Sequence, residues 1–98
     1  MTTDQVRLRV AIRGDLLRTL ERAASQRNQR EDLVDGQPGW VGHERRAMHE
    51  AVNRWRHRLA LPPVPLVEIE RVERAAEGHI DYAWKSALRC ADLAAGEG

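Results

Sequence analysis

Met48, Val52, Trp55 and Leu59 follow one another at steps of four, three and four, and this spacing constrains the chain more than any other feature. A helix turns once in about 3.6 residues, so such a set lies on one face. Ala47 and Ala51 flank the stripe, and Arg45, Arg46, His49 and Arg56 fall opposite. The spacing predicts a helix over 41–60. Pro62, Pro63 and Pro65 end it, because proline lacks the amide donor and restricts the residue before it. From Pro65 to Ala94 the helical period resumes through Leu66, Ile69, Val72, Ala76, Ile80, Ala83, Ala87 and Cys90. Pro65 suits a first-turn position, and Glu68 and Glu70 suit the positive end of the helix dipole. Gly78 interrupts the stripe and marks a kink or a break into two helices. Beyond it the stripe is small, with Ala83, Ala87, Ala91 and Ala94, which lets another helix approach closely, in this chain or in a partner subunit.

Upstream, Leu16, Leu17, Leu20, Ala23 and Ala24 predict a helix over 15–26, with Asp15 placed to cap it. Between 27 and 40, Asp35-Gly36 and Pro38-Gly39 are strong turn signals, and Trp40 would anchor that loop to the core. Residues 6–12 are ambiguous. Val6, Leu8, Val10 and Ile12 alternate with Arg7, Arg9 and Ala11, the period of a half-buried strand. Leu8, Ile12, Leu16 and Leu20 also fall at steps of four, so a helix survives. The β-branched content and Gly14 favour the strand. The expected fold is a mainly α, small single domain of three or four helices, with room for one short N-terminal strand over 6–12.

With 98 residues, the chain is one domain by length. It is 42% hydrophobic and 32% charged, a globular balance. There is no Phe, so the core must be built from Leu, Val, Ile, Ala and Trp. Fifteen of the sixteen basic residues are Arg, and the net charge of +1 speaks against a dedicated nucleic-acid binder. The charge is split along the chain. Residues 1–30 hold seven Arg against Asp4, Asp15 and Glu21, while residues 61–98 hold four basic and seven acidic residues. The two ends can attract within one chain or between subunits. Cys90 is the single cysteine, which excludes an internal disulfide and fits a reducing cytoplasm. The start lacks a signal-peptide pattern, and no apolar run reaches the length of a membrane span.

Four histidines raise a metal hypothesis, but no His-x-x-x-His, His-Glu-x-x-His or Cys-x-x-Cys spacing supports it. On a continuous helix His79 would face the core as a hydrogen-bonded structural residue. Asp81 would pair with Lys85 at i, i+4. A nucleophilic pair of Cys90 with His79 would then be separated by about 16 Å of helix rise, too far to touch. Cys90 reads as a buried, inert thiol. No catalytic residues, cofactor site or metal site are expected.

Two resemblances bear on function. The Arg-bearing run at 6–12, followed by a turn and an amphipathic helix, resembles the start of ribbon-helix-helix DNA-binding domains. That resemblance covers residues 6–26 and implies Arg7 and Arg9 as major-groove readers. It departs from the family at 27–40, where a long loop replaces a short turn. The second spans 40–93. The run Glu44-Arg45, Val52-Asn53, Gly78-His79-Ile80-Asp81-Tyr82 and Ala87-Leu88-Arg89-Cys90-Ala91-Asp92-Leu93 resembles a set of small uncharacterised proteins of actinobacteria and their phages. It implies a phage or prophage origin more than an activity.

The expected function is therefore a non-catalytic protein–protein interaction or assembly protein, acting as a small helical oligomer. Trp40, Trp55, His79, Tyr82, Ala83, Trp84 and Ala87 are its candidate structural or interface residues. The expected partner is itself or another protein, with no membrane partner. The expected location is the bacterial cytoplasm or a phage particle. The alternative is a DNA-binding regulator using Arg7 and Arg9.

Overall fold

The structure is a computed structural model, and it describes residues 2–27, 42–76 and 82–96. Among the described residues four helices appear in order: α1 (Thr3–Arg27), α2 (Gly42–Arg58), α3 (Leu66–Ala75) and α4 (Tyr82–Ala94). The mainly α architecture matches the expectation. The loop over 27–40, with Trp40, falls almost wholly outside the described residues.

The strand expected over 6–12 is helix. Those residues are the first turns of α1, which runs unbroken through Gly14 and Asp15. Burial explains the outcome. Ile12 and Leu16 are fully buried, Leu20 is nearly so, and Leu8 packs at the edge of that cluster. The steps of four won over the alternation, and Val6 and Val10 face outward at 47% and 65% exposure. The helix starts well upstream of Asp15. Thr2 Oγ1 accepts from the Gln5 amide at 3.2 Å, and Gln5 Oε1 accepts from the Thr2 amide at 2.8 Å. Thr-x-x-Gln is thus a reciprocal cap that satisfies two amides at the helix start. Asp15 is not a cap. Its carbonyl accepts the Thr19 hydroxyl at 2.8 Å.

Direction follows from the cross-contacts. Asp15 meets Trp55, and Arg13 lies 4.0 Å from Asp92. Arg56 Nη1 donates to the Leu93 carbonyl at 2.7 Å. The middle of α1 therefore sits beside the C-terminal ends of α2 and α4, which run the same way. The buried positions of α1 continue onward from Ile12 to Ala23, so α1 runs opposite to both. Its first turns reach past the bundle, and Thr2 to Arg7 are all exposed. The molecule measures 43 × 24 × 23 Å. Its long axis is close to the roughly 37 Å of a 25-residue helix.

α2 and α4 touch each other and both other helices, whereas α1 and α3 lie on opposite sides of them. The small residues of α4 fit that central place. Ser86, Ala87, Cys90, Ala91 and Ala94 are all buried. The Ala stripe thus serves approach within one chain.

α2 ends at a left-handed residue, Ala60, with φ 58°. The Leu61 amide donates to the Arg56 carbonyl at 2.8 Å and the Ala60 amide to that of His57 at 3.1 Å. This paired closure ordinarily uses glycine, because a Cβ is strained at positive φ. Ala60→Gly should therefore raise stability by about 1 kcal/mol, read as a higher urea midpoint at unchanged slope; an unchanged or lower midpoint would contradict this. Gly96 closes α4 similarly, at φ 82°. A Cβ there would be strained at that φ and would come within 2.9 Å of the Leu61 side chain, which would have to shift.

The prolines separate α2 from α3 as expected, with Pro65 as the residue preceding α3 rather than its first turn. The helix expected over 65–94 is two helices that pack against each other. Gly78, the candidate break point, lies between them and outside the described residues.

Candidate functional site

The polar face expected on α2 is not simply solvated. Three of its residues hold specific distant partners. Asn53 Nδ2 donates to the Val64 carbonyl at 3.1 Å, and the Val64 amide donates to Asn53 Oδ1 at 2.9 Å. His49 Nε2 lies 2.7 Å from the same carbonyl and 3.1 Å from Asn53 Nδ2. Together they clip the proline-rich linker to α2. Arg56 reaches both the Pro62 carbonyl, at 2.7 Å, and the Leu93 carbonyl at the C-terminal end of α4. A cation is favoured at that end of a helix.

A second polar assembly joins α2 to α3. Arg45 grips the Glu73 carboxylate with two nitrogens, Nε to Oε1 and Nη2 to Oε2, the latter at 3.1 Å. Glu73 is 3% exposed. Nearby on α4, Cys90 is fully buried, and its thiol is pushed up from 9.0 to about 12, first by burial and then by the negative charge of Glu73. A thiol so held stays protonated and is a poor nucleophile. Ser86, one turn before Cys90, is fully buried with no hydrogen-bond partner for its hydroxyl among the described residues.

Two consequences follow for Cys90. It should resist thiol reagents at pH 8 in the folded chain and react once urea unfolds it; rapid labelling under native conditions would contradict its burial. The folded state keeps a proton that the unfolded chain gives up above about pH 9. Stability should therefore fall with rising pH between 9 and 12, by about 1.4 kcal/mol per unit from this group. Cys90→Ala should flatten that decline.

The third assembly is a cleft between α1 and α2. Ala11, Asp15, Arg18, Arg54, Trp55 and Arg58 line a space of about 340 Å³. Trp55 Nε1 donates to Asp15 Oδ2 at 2.8 Å. The Arg58 guanidinium lies 5.1 Å from the centre of the Trp55 ring, within cation–π range. Arg54 and Arg58 also border a shallow groove along α2 with His49, Glu50, Asn53 and His57.

The candidate residues fall into three groups. Trp55 is half-buried, packs against the core and fixes α2 to α1, so it is structural. Ala87 is buried and Ala83 packs beside it, both within the bundle. Trp84 is 48% exposed, with Leu88 beside it at 39%, on the outer side of α4. Tyr82 begins α4, and its side chain is outside the described residues, as are Trp40 and His79. The expected separation of His79 from Cys90 falls outside the described residues. The Asp81–Lys85 pair also falls outside the described residues. Arg7 is exposed and Arg9 half-buried, both on a helix, so the ribbon that would have carried them is absent.

The signals for what the sequence missed were weak. Asn53, Arg56 and Glu73 find partners 11 to 37 residues away, beyond any local pattern. Among the described residues, no three metal-binding side chains converge and no helix is long and apolar enough to cross a membrane. No protein-family model, curated protein or solved structure matches the chain.

Proposed function

We propose that this chain is a non-catalytic interaction protein that assembles with further copies of itself through the N-terminal turns of α1. The single observation behind this reading is the projecting start of α1. Val6 and Val10 lie one turn apart on it and are 47% and 65% exposed. Apolar residues one turn apart on a helix that has outrun its own bundle suit a partner helix. The charge split favours a second copy as that partner. The basic first 30 residues and the acidic last third are of opposite sign, and α1 and α3 lie on opposite sides of one molecule. Arg13 meets Asp92 within one chain, and the exposed remainder of the two charges can attract between molecules. The buried, protonated Cys90 agrees with a role that needs no nucleophile.

A phage or prophage origin rests on the resemblance of residues 40–93 to small proteins of actinobacteria and their phages. Particle assembly is the corresponding role, and the host cytoplasm or the particle the corresponding place.

Sedimentation equilibrium of the full chain tests the proposal. The wild type should form a defined oligomer, and Val6→Asp with Val10→Asp should give a folded monomer. A wild type that stays monomeric at its highest soluble concentration would sink the reading. So would an oligomer that survives the double substitution.

A further inference from the structure

We infer that the cleft between α1 and α2 is a binding site for a multiply charged oxyanion, of the class of pyrophosphate or a small phosphorylated molecule.

Three arginines from two helices line this space. Arg18 comes from α1, and Arg54 and Arg58 from successive turns of α2. One carboxylate, Asp15, faces them, which leaves a local excess of two positive charges. Asp15 Oδ2 accepts the indole proton of Trp55, and its one negative charge offsets one of the three arginines. Among the described residues, no acidic side chain forms an ion pair with Arg18, Arg54 or Arg58. Elsewhere in the described fold arginines do find such partners: Arg13 faces Asp92, Arg45 grips Glu73 and Arg71 pairs with Glu68. Like charges gathered without a counterion repel, and the cost is recovered when an anion binds.

The local construction fits that use. Arg58 rests over the Trp55 ring, which limits where its guanidinium can go. Arg18 lies back over Gly14, where an added Cβ would come within 3.2 Å of Nη1. Gly14 in mid-helix is unfavourable by roughly 1 kcal/mol against Ala, and here it leaves room for that side chain. Guanidinium forks match phosphate oxygens two at a time. A single carboxylate would neutralise only half of the excess, whereas a diphosphate neutralises all of it and offers oxygens to more than one guanidinium fork. The space of about 340 Å³ admits such a group. The site is separate from Val6 and Val10, so its failure would leave the assembly reading intact.

Trp55 supplies the reporter. The full chain, labelled with nitrogen-15, has three indole N–H signals, one per tryptophan. Trp55→Phe identifies the signal that belongs to the cleft. Pyrophosphate titrated at low ionic strength should shift that signal saturably and leave the Trp84 signal in place. Arg18→Gln with Arg54→Gln should weaken binding about tenfold or more, with an unchanged circular-dichroism spectrum. Arg54→Gln alone provides a milder variant should the pair perturb folding. Arg7→Gln, outside the cleft, should bind like the wild type. Orthophosphate should bind more weakly than pyrophosphate. The inference fails if the shift does not saturate, if sodium chloride of equal ionic strength reproduces it, or if the arginine variants retain it. A short DNA duplex that binds where pyrophosphate gives no response would also overturn it, since the arginines would then serve a nucleic-acid backbone.

Discussion

Arg45→Ala should destabilise the fold by about 3–5 kcal/mol, the largest loss expected from any single exchange of a charged residue here. The reason is what remains behind. Glu73 is 3% exposed, and its carboxylate is gripped at both oxygens by the Arg45 guanidinium. Without that cation, a buried carboxylate keeps its desolvation cost and loses its main compensation. A domain of this size has a total stability of about 5–15 kcal/mol, so the variant would be partly unfolded at physiological temperature. Urea denaturation followed by far-ultraviolet circular dichroism measures the loss. Arg45→Met combined with Glu73→Leu supplies the control. Exchanging both partners for apolar residues removes the stranded charge, and most of the stability should return. A loss below about 1 kcal/mol in the single variant would show that Glu73 is neutralised by other means.

The second large effect is expected at Leu16. It is fully buried between Ile12 and Leu20 on the inner face of α1. Leu16→Ala removes apolar contact and leaves a cavity, for a loss of about 2–5 kcal/mol. Val10→Ala, at 65% exposure, should change stability by no more than about 0.5 kcal/mol. The pair of measurements also tests the register. If residues 6–12 formed a strand, Val10 would point inward and its truncation would be costly. Equal losses at the two positions would therefore contradict the helical start of α1.

The amino-acid pattern carried the helices themselves well. The apolar steps over 48–59 found α2, and the prolines placed its end within two residues. The N-terminal turns were harder because two periods coincide there. Leu8 and Ile12 satisfy both the alternation and the steps of four, and only burial against α2 and α4 separates them. A local clue was present in Thr2 and Gln5, whose spacing is that of a reciprocal cap. The division of the last segment was signalled by Gly78, but the return of α4 onto α3 required tertiary packing.

The candidate cleft was less legible. Arg18, Arg54 and Arg58 look like ordinary solvated arginines along two helices. They line one cleft because α1 and α2 pack together where Trp55 reaches back 40 positions to Asp15, a pairing no sequence period announces. Arg45 and Glu73 are likewise 28 apart. Spacing rules see neighbours on one helix, whereas these contacts depend on how separate helices are aimed.

The start of α1 differs from the flexible tails that many small proteins use to reach a partner. Its amides are capped at Thr2 and continue into a helix whose far half is clamped by the core. Water can open the outer turns without the bundle giving way, so a single uninterrupted rod carries a gradient of protection along its length. Whatever grasps its outer end meets a shape already wound. Association is then spared most of the ordering entropy that a disordered arm would lose on capture.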